Sequence, residues 1–247
     1  EEEIDGIQKQ KRLLIEALPL SSGGNRKKIL LQLVTIYSNL DRFGVSGAYL
    51  EGLKWIEMLE ANHSLSQKEE WQVNEMKALL LNERGNQDEF LPIWYKLLKQ
   101  NREADRPVDV GKCLLPIANH FIMLEDYENA LPLYKEAYQL ALEHKSIELQ
   151  QVSGIMLIKY LCGAGYYSES LEYYNKIKPE IVFNPSMQNE VVKSYMELNK
   201  PDSARIYLAA RLLSERGDKI VLNCMMAETY IPEGQEDSAF VFLDRAM

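Results

Sequence analysis

Apolar residues recur three and four positions apart along most of the chain, and runs that alternate apolar with polar residues are scarce. This spacing is typical of helices with one buried face, whereas a half-buried strand would alternate. Proline and glycine fall between the periodic segments, where they mark turns. The pattern therefore predicts an all-α protein built from many short helices.

The helical segments repeat along the chain. A small or apolar residue opens the second helix of each predicted pair, at intervals of 42, 40, 40, 34 and 35 residues. Residues four and seven positions later share its helix face, so they extend a buried stripe. A matching residue of the first helix stands twelve positions earlier, which predicts six stacked helix pairs. The opening residues are Ala48, Phe90, Ala130, Ser170, Ala204 and Ala239, and their first-helix counterparts are Ile36, Ala78, Ala118, Ile158, Val192 and Ala227.

Tight turns are expected between the two helices of each pair. Gly85, Gly165 and Gly234 occupy the same position in three of these turns, where glycine permits the positive φ that ends a helix. Pro201 suits the first position of the helix that follows. Three acids share a register in the first turn of the second helix, where they oppose the helix dipole: Asp88, Asp202 and Asp237.

The repeating unit resembles the tetratricopeptide repeat family. The clearest copy runs from Gly111 to His144, and the resemblance extends over about Leu30 to Met247. The matching positions in that copy are Leu114, Ile117, Ala118, Phe121, Tyr127, Ala130, Tyr134 and Ala137. The family's early tryptophan and late proline are absent from every unit, and the first two units match less closely. The resemblance implies a right-handed superhelical solenoid of about six antiparallel helix pairs.

The sequence also predicts a division of the chain. Residues 1–25 are expected to form an N-terminal helix and its connecting loop, Pro19–Asn25, as a cap or the end of a preceding unit. Residues 26–247 are expected to form the repeat array. Because the chain begins with Glu1 and ends at Met247 within an apolar-periodic run, we interpret it as a piece of a longer protein.

Charge and composition narrow the classes of partner. The net charge of −9 disfavours nucleic-acid binding, which needs a basic surface that displaces counterions. The longest uncharged stretch, Cys113–Leu124, is about 12 residues, short of the roughly 18 that a membrane helix requires. We therefore expect neither nucleic-acid binding nor membrane insertion by this region.

No grouping of residues predicts catalysis. The three histidines, His63, His120 and His144, have no spacing typical of a metal site. Phosphate-binding and nucleophile motifs are absent from the sequence, so no cofactor, metal or enzymatic activity is expected. The three cysteines are far apart, which favours buried structural thiols: Cys113, Cys162 and Cys224.

The resemblance implies that the first helices line a groove that binds extended peptides or partner helices. By register, the groove-facing residues are Tyr37, Glu75, Asn82, Lys112, Asn119, Lys159, Asn189, Lys193 and Glu228. The lysines and asparagines among them, from Lys112 to Lys193, resemble part of the clamp by which some family members hold a terminal carboxylate. A merely solvated polar helix face is the alternative interpretation of the same residues.

The sequence favours a non-catalytic module that binds a protein or peptide partner within a larger regulatory or signalling protein. The starts PDSA (Pro201–Ala204) and EDSA (Glu236–Ala239) are similar to repeats of bacterial transmembrane regulators, which favours an extracytoplasmic or periplasmic location over the cytoplasm. The alternative is an extracytoplasmic domain of a transmembrane transcriptional regulator that senses a small molecule. A helical enzyme is the third class and has the least support.

Overall fold

The computed structural model describes residues 2–82, 87–177, 186–213 and 218–246. Within these ranges the chain forms thirteen α-helices and two short 3-10 turns, and no strand is found there. The helices are α1 Glu2–Ala17, α2 Gly23–Arg42, α3 Ala48–Asn62, α4 Gln67–Asn82, α5 Gln87–Glu103, α6 Pro107–Met123, α7 Tyr127–Glu143, α8 Ile147–Gly163, α9 Tyr167–Lys176, α10 Ser186–Glu197, α11 Pro201–Leu213, α12 Lys219–Glu228 and α13 Glu236–Ala246. The predicted all-α fold of helix pairs is confirmed.

Two compact units make up the structure: an N-terminal unit of residues 1–109 and a C-terminal unit of residues 110–247. In the N-terminal unit α2 packs against α1, α3 and α4, and α4 packs against α5. Its core includes the fully buried Leu30, Leu33, Ile56 and Leu59. Helices α2 and α3 thus bury the apolar face that their spacing predicted.

The connection from α1 to α2 is shorter than the sequence predicted. A loop was expected over Pro19–Asn25, but α2 already begins at Gly23, after extended Ser22. The buried Leu18 starts a 3-10 turn, and its carbonyl oxygen accepts hydrogen bonds from the Ser21 hydroxyl at 2.7 Å and the Arg26 guanidinium at 3.1 Å. These bonds fix the turn, so fewer residues remain irregular.

A close helix approach explains one departure from the family pattern. Gly52 in α3 stands where later units carry Trp94 or Tyr134. A Cβ atom at this glycine would lie 2.8 Å from Leu80 Cδ1 and 3.3 Å from Tyr37 Cβ. Because α2 and α4 already fill this space, an aromatic side chain has no room here.

In the C-terminal unit, successive pairs stack through α8, which packs against α7, α9 and α10. The series continues from α10 to α11, α12 and α13. Its core includes Tyr134, Leu157, Leu161 and Leu208, each fully buried. Gly111 of α6 lies under Leu149 of α8, since a Cβ there would be 2.4 Å from Leu149 Cδ2.

The predicted repeat register is confirmed in all six helix pairs. All twelve opening and first-helix residues are buried. Farther along the second helices the stripe is less uniform, because Tyr174 and Arg211 are half-buried and Leu243 is 38% exposed. The small residues at the helix contact are therefore the strongest feature of the repeat.

The turns share one left-handed residue. Gly165 and Gly234 have positive φ, as predicted, and Glu125 and Asn199 adopt the same conformation at the same position, with φ of 59° and 56°. In each turn the next N–H bonds back to a carbonyl five residues earlier, as Tyr166 N does to Leu161 O at 2.8 Å, a pattern typical of helix C-termini. Pro201 is the first residue of α11, and Asp202 and Asp237 lie in first helical turns. The turn at Gly85 and the side chain of Asp88 lie outside the described residues.

Candidate functional site

A cavity of about 240 Å³ lies between α8 and α10 in the C-terminal unit. These two are first helices of consecutive pairs, the helices that were expected to line a groove. The residues that line it are Tyr127, Lys159, Tyr160, Cys162, Gly163, Asn189, Glu190 and Lys193. Three of them, Lys159, Asn189 and Lys193, are among the predicted groove residues.

Helix geometry explains how these side chains meet. Asn189 and Lys193 are four residues apart on α10 and so share one face. Lys159 lies on α8, four residues before that helix ends at Gly163. A Cβ atom at Gly163 would lie 3.3 Å from the hydroxyl of Tyr127, so the glycine lets this tyrosine from the start of α7 close one side of the cavity.

The two lysines at the cavity form no ion pair within the described part of the chain. Lys159 and Lys193 are exposed, and neither forms an ion pair with any residue of the described ranges. The Lys159 ammonium lies 5.3 Å from the centroid of the Tyr160 ring, which also lines the cavity. The site therefore presents two cationic donors beside an aromatic surface and an amide.

One negative charge shares the cavity with the lysines. Glu190 is half-buried, its Oε2 atom is buried, and no described residue donates a hydrogen bond to that oxygen. Glu190 is not within ion-pair distance of either lysine among the described residues. The cavity is thus lined by two lysines and one glutamate.

Cys162 forms part of the floor and is structural. Its thiol is 2% exposed and donates to the Glu190 carbonyl oxygen at 3.5 Å. Burial raises the pKa of Cys162, while Ser194 and the Lys193 ammonium oppose that shift. Because the thiol stays protonated near neutral pH, it links α8 to α10 rather than acting as a nucleophile.

A buried tyrosine holds a further predicted residue. The Tyr134 hydroxyl donates a hydrogen bond to Asn119 Oδ1, and the Tyr134 ring stacks on Tyr160 with centroids 5.4 Å apart. Burial raises the pKa of Tyr134 well above its ordinary value, so the hydroxyl remains a donor. Asn119 is half-buried and does not line the cavity itself.

The remaining predicted residues lie elsewhere. Lys112 and Glu228 are exposed in the C-terminal unit and do not line this cavity. Tyr37 and Glu75 belong to the N-terminal unit, where Glu75 is half-buried, and the side chain of Asn82 lies outside the described residues.

Tyr37 is a core residue, only 7% exposed. Its ring lines a second cavity of about 310 Å³ together with Lys11 and Lys54. The Lys11 ammonium is 5.6 Å from the ring centroid, and burial raises the pKa of the Tyr37 hydroxyl. Lys54 is paired with Glu51 at 2.6 Å, so this cavity offers less free positive charge.

Sequence reasoning missed Glu190, Tyr127 and Tyr160 as cavity residues. Tyr127 had been identified only as a matching position of the repeat unit. Glu190 adjoins the predicted Asn189 and lines the cavity together with residues of α8, a helix that ends 27 residues earlier in the chain. Only the packing of consecutive pairs makes these side chains neighbours.

Two general searches of the described ranges give negative findings. No helix there is both long and apolar enough to cross a membrane. No group of three or more His, Cys, Asp or Glu side chains in the same ranges is placed to hold a metal ion.

No protein-family model and no curated protein sequence matches the chain. Solved structures do match it. A tetratricopeptide repeat protein from Parabacteroides merdae ATCC 43184 is 18% identical with a TM-score of 0.59, over 97% of this chain and 85% of that one. Aspartyl phosphate phosphatase F from Bacillus subtilis is 13% identical with a TM-score of 0.56, over 96% of this chain and 62% of that one.

A Rap protein complexed with Competence and Sporulation Factor is also similar, at 17% identity and a TM-score of 0.53, over 99% of this chain and 68% of that one. At these identities the similarity establishes the fold. The chain has the tetratricopeptide-repeat type of helical-repeat fold, which confirms the resemblance found in the sequence.

Proposed function

We propose that this protein is a non-catalytic interaction module that binds an acidic segment of a protein or peptide partner at the cavity between α8 and α10. The observation that carries the proposal is the presence of two lysines, Lys159 and Lys193, on one cavity with Asn189. Neither lysine forms an ion pair in the described ranges. An ammonium group forms strong charge-assisted hydrogen bonds with a carboxylate. Asn189 adds an amide donor that fixes the orientation of the bound group.

The local charge matters more than the charge of the whole chain. Although the net charge is −9, exposed charges farther apart than about 8 Å are largely screened at physiological ionic strength. An acidic segment at the cavity therefore interacts chiefly with Lys159 and Lys193. Binding should weaken as salt concentration rises, because these lysines are exposed.

Structural similarity supports a regulatory role. The Rap protein with this type of fold is complexed with Competence and Sporulation Factor, so a related fold holds a signalling factor. We propose that this module likewise serves a larger regulatory or signalling protein. Its partner would be recognised through the groove of the first helices rather than through a reaction centre.

A pull-down from lysate of the source organism, analysed by mass spectrometry, tests this proposal. The baits are the native protein, the variant Lys159→Glu/Lys193→Glu, and the control Lys145→Glu/Lys200→Glu. The control changes the charge equally at two exposed turn positions of the same unit that do not line the cavity. All three baits must show equal helicity and melting temperature.

We expect a partner that the native and control baits retain and the cavity variant loses. A partner that all three baits retain equally would contradict the cavity as its site. No partner with any bait would contradict the interaction module itself under those conditions.

A further inference from the structure

Helix α11 carries a stripe of apolar residues that faces solvent. The α11 stripe consists of Ile206, Ala209, Ala210 and Leu213. The spacing i, i+3, i+4, i+7 places all four on one helix face, and such a face is usually buried against another element. All four residues are exposed, Ile206 at 72% and Leu213 at 88%. The core-facing side of the same helix is already buried through Leu208.

The repeat fold does not require this stripe. Elsewhere in the C-terminal unit, the second helices carry charged residues in the same register. These are Lys135 and Glu136 in α7, Glu172 and Lys176 in α9, and Asp244 and Arg245 in α13. Among the second helices of this unit, α11 alone has apolar residues at all of these positions. A contiguous apolar surface that packing within the chain does not explain indicates a contact with another molecule.

We propose that the α11 stripe binds a second copy of the protein in an antiparallel, twofold-symmetric dimer. The side chains run large, small, small, large, and this order is symmetric about the point between Ala209 and Ala210. In an antiparallel pair, Ile206 lies level with Leu213 of the second copy. Small residues at the crossing point let the two helices approach closely. One patch then serves both copies, as a twofold interface requires.

The neighbouring second helix, α13, adds charge complementarity to this arrangement. By repeat register, Asp244 and Arg245 stand level with Ala209 and Ala210. A twofold axis that crosses α11 at a right angle within the contact plane places α13 opposite α13 of the second copy, with its direction reversed. Asp244 of each copy then faces Arg245 of the other. Both side chains are exposed and form no ion pair within the described residues.

The size of the contact indicates a weak dimer. Helix α11 has 13 residues, so it is about 20 Å long at about 1.5 Å per residue. An interface centred on one such helix belongs to the small, reversible class that buries less than about 1,200 Å² in total. The α11 stripe lies on a second helix, whereas the cavity between α8 and α10 lies on first helices. The dimer is therefore independent of binding at the cavity.

Sedimentation equilibrium over a range of protein concentrations tests the dimer. The samples are the native protein, Ile206→Lys and the control Met123→Lys, which changes another apolar residue of the same unit, 61% exposed at the end of α6. All samples must show equal helicity and melting temperature. We expect the native protein and the control to dimerise alike. The dissociation constant of Ile206→Lys should be at least about tenfold higher, because two symmetry-related side chains lose their burial.

A charge exchange on α13 tests the antiparallel arrangement. Arg245→Asp removes two ion pairs and places like charges opposite each other, so the dissociation constant should rise by roughly fivefold. Asp244→Arg combined with Arg245→Asp forms both pairs again with the charges exchanged, and it should restore the native value. Failure of this rescue would overturn the antiparallel arrangement.

The dimer is overturned if the native protein stays monomeric at every concentration, if Ile206→Lys dimerises like the native protein, or if Met123→Lys weakens association equally. A monomeric native protein whose captured partner is lost in Ile206→Lys would assign the α11 stripe to that partner instead. Lys159→Glu/Lys193→Glu should dimerise like the native protein, so failure at the cavity and failure of the dimer are separate results.

Discussion

Gly154 in α8 is predicted to be a position where one added methyl group destabilises the protein. A Cβ atom there would lie 2.5 Å from Ile177 Cδ1 and 3.2 Å from Tyr138 Cε2. Both neighbours are buried, Ile177 at 2% and Tyr138 at 4% exposure. The substitution Gly154→Ala therefore forces atoms into space that is already filled.

Two opposing effects set the magnitude. Alanine is favoured over glycine inside a helix by about 1 kcal/mol, while overpacking a core costs about 1–3 kcal/mol. We expect Gly154→Ala to lower the free energy of unfolding by as much as about 2 kcal/mol. Gly6→Ala is the control. A Cβ atom at Gly6 in α1 meets no atom within 4 Å, so this substitution should not lower the free energy of unfolding.

A second substitution, at Ile177, tests whether the added methyl group contacts this side chain. Ile177→Val removes the Cδ1 atom that is nearest to the new methyl group, and alone it should cost about 0.5–1.5 kcal/mol. In the double variant the methyl group added at position 154 occupies the vacated space. The free energy of unfolding of the double variant should therefore fall by less than the sum of the two single decreases, by about 1 kcal/mol or more.

Urea unfolding followed by circular dichroism, extrapolated linearly to water, gives the four free energies of this cycle. If the two substitutions are additive within about 0.5 kcal/mol, Gly154 and Ile177 are not in close contact and the packing argument is refuted. A stabilising effect of Gly154→Ala alone would refute it as well.

Two further predictions concern ion contacts. Arg205 donates to the Thr229 carbonyl oxygen at 2.7 Å and lies 3.9 Å from the Tyr230 ring centroid, so Arg205→Ala should lower the free energy of urea unfolding by about 2 kcal/mol. Arg205→Lys should not restore it, because lysine lacks the planar fork; full rescue by lysine would contradict this. The Lys27 ammonium, together with the backbone N–H and hydroxyl of Ser66, lowers the pKa of Glu69 to about 2. These contacts therefore contribute stability above about pH 4.3, the ordinary glutamate value, and lose it as the pH falls through about 2. The difference in melting temperature between native protein and Glu69→Gln should be constant well above about pH 4.3 and should vanish below about pH 2; a difference independent of pH would contradict the assignment.

The helix pairs could be predicted because the repeat constrains the residues at each helix contact. Ala118 and Ala130 are fully buried, as their small size indicated, since close helix packing tolerates little else there. The turns were only partly predictable. Asn199 adopts positive φ, as asparagine often does at the end of a helix, whereas Glu125 does so although glutamate rarely adopts this conformation.

The candidate site was predictable only where it follows helix periodicity. Asn189 and Lys193 share a face of α10, and Lys159 holds the equivalent place on α8, so register alone brought them together. The place of Glu190 at the cavity could not be predicted, because the other residues that line it include side chains of other helices, Tyr127 and Cys162 among them. The repeat register identifies the helix face on which a residue lies. The packing of neighbouring helices determines which of its atoms are buried.

Site-specific photo-crosslinking would show directly whether the partner binds at the cavity. A photoreactive amino acid replaces Asn189, which lines the cavity, or Asn175, an exposed residue of α9 that does not. We expect the partner retained in the pull-down to form an adduct from position 189 and none from 175, and we expect Lys159→Glu/Lys193→Glu to abolish the adduct. An adduct from position 175 with none from 189 would contradict binding at the cavity between α8 and α10.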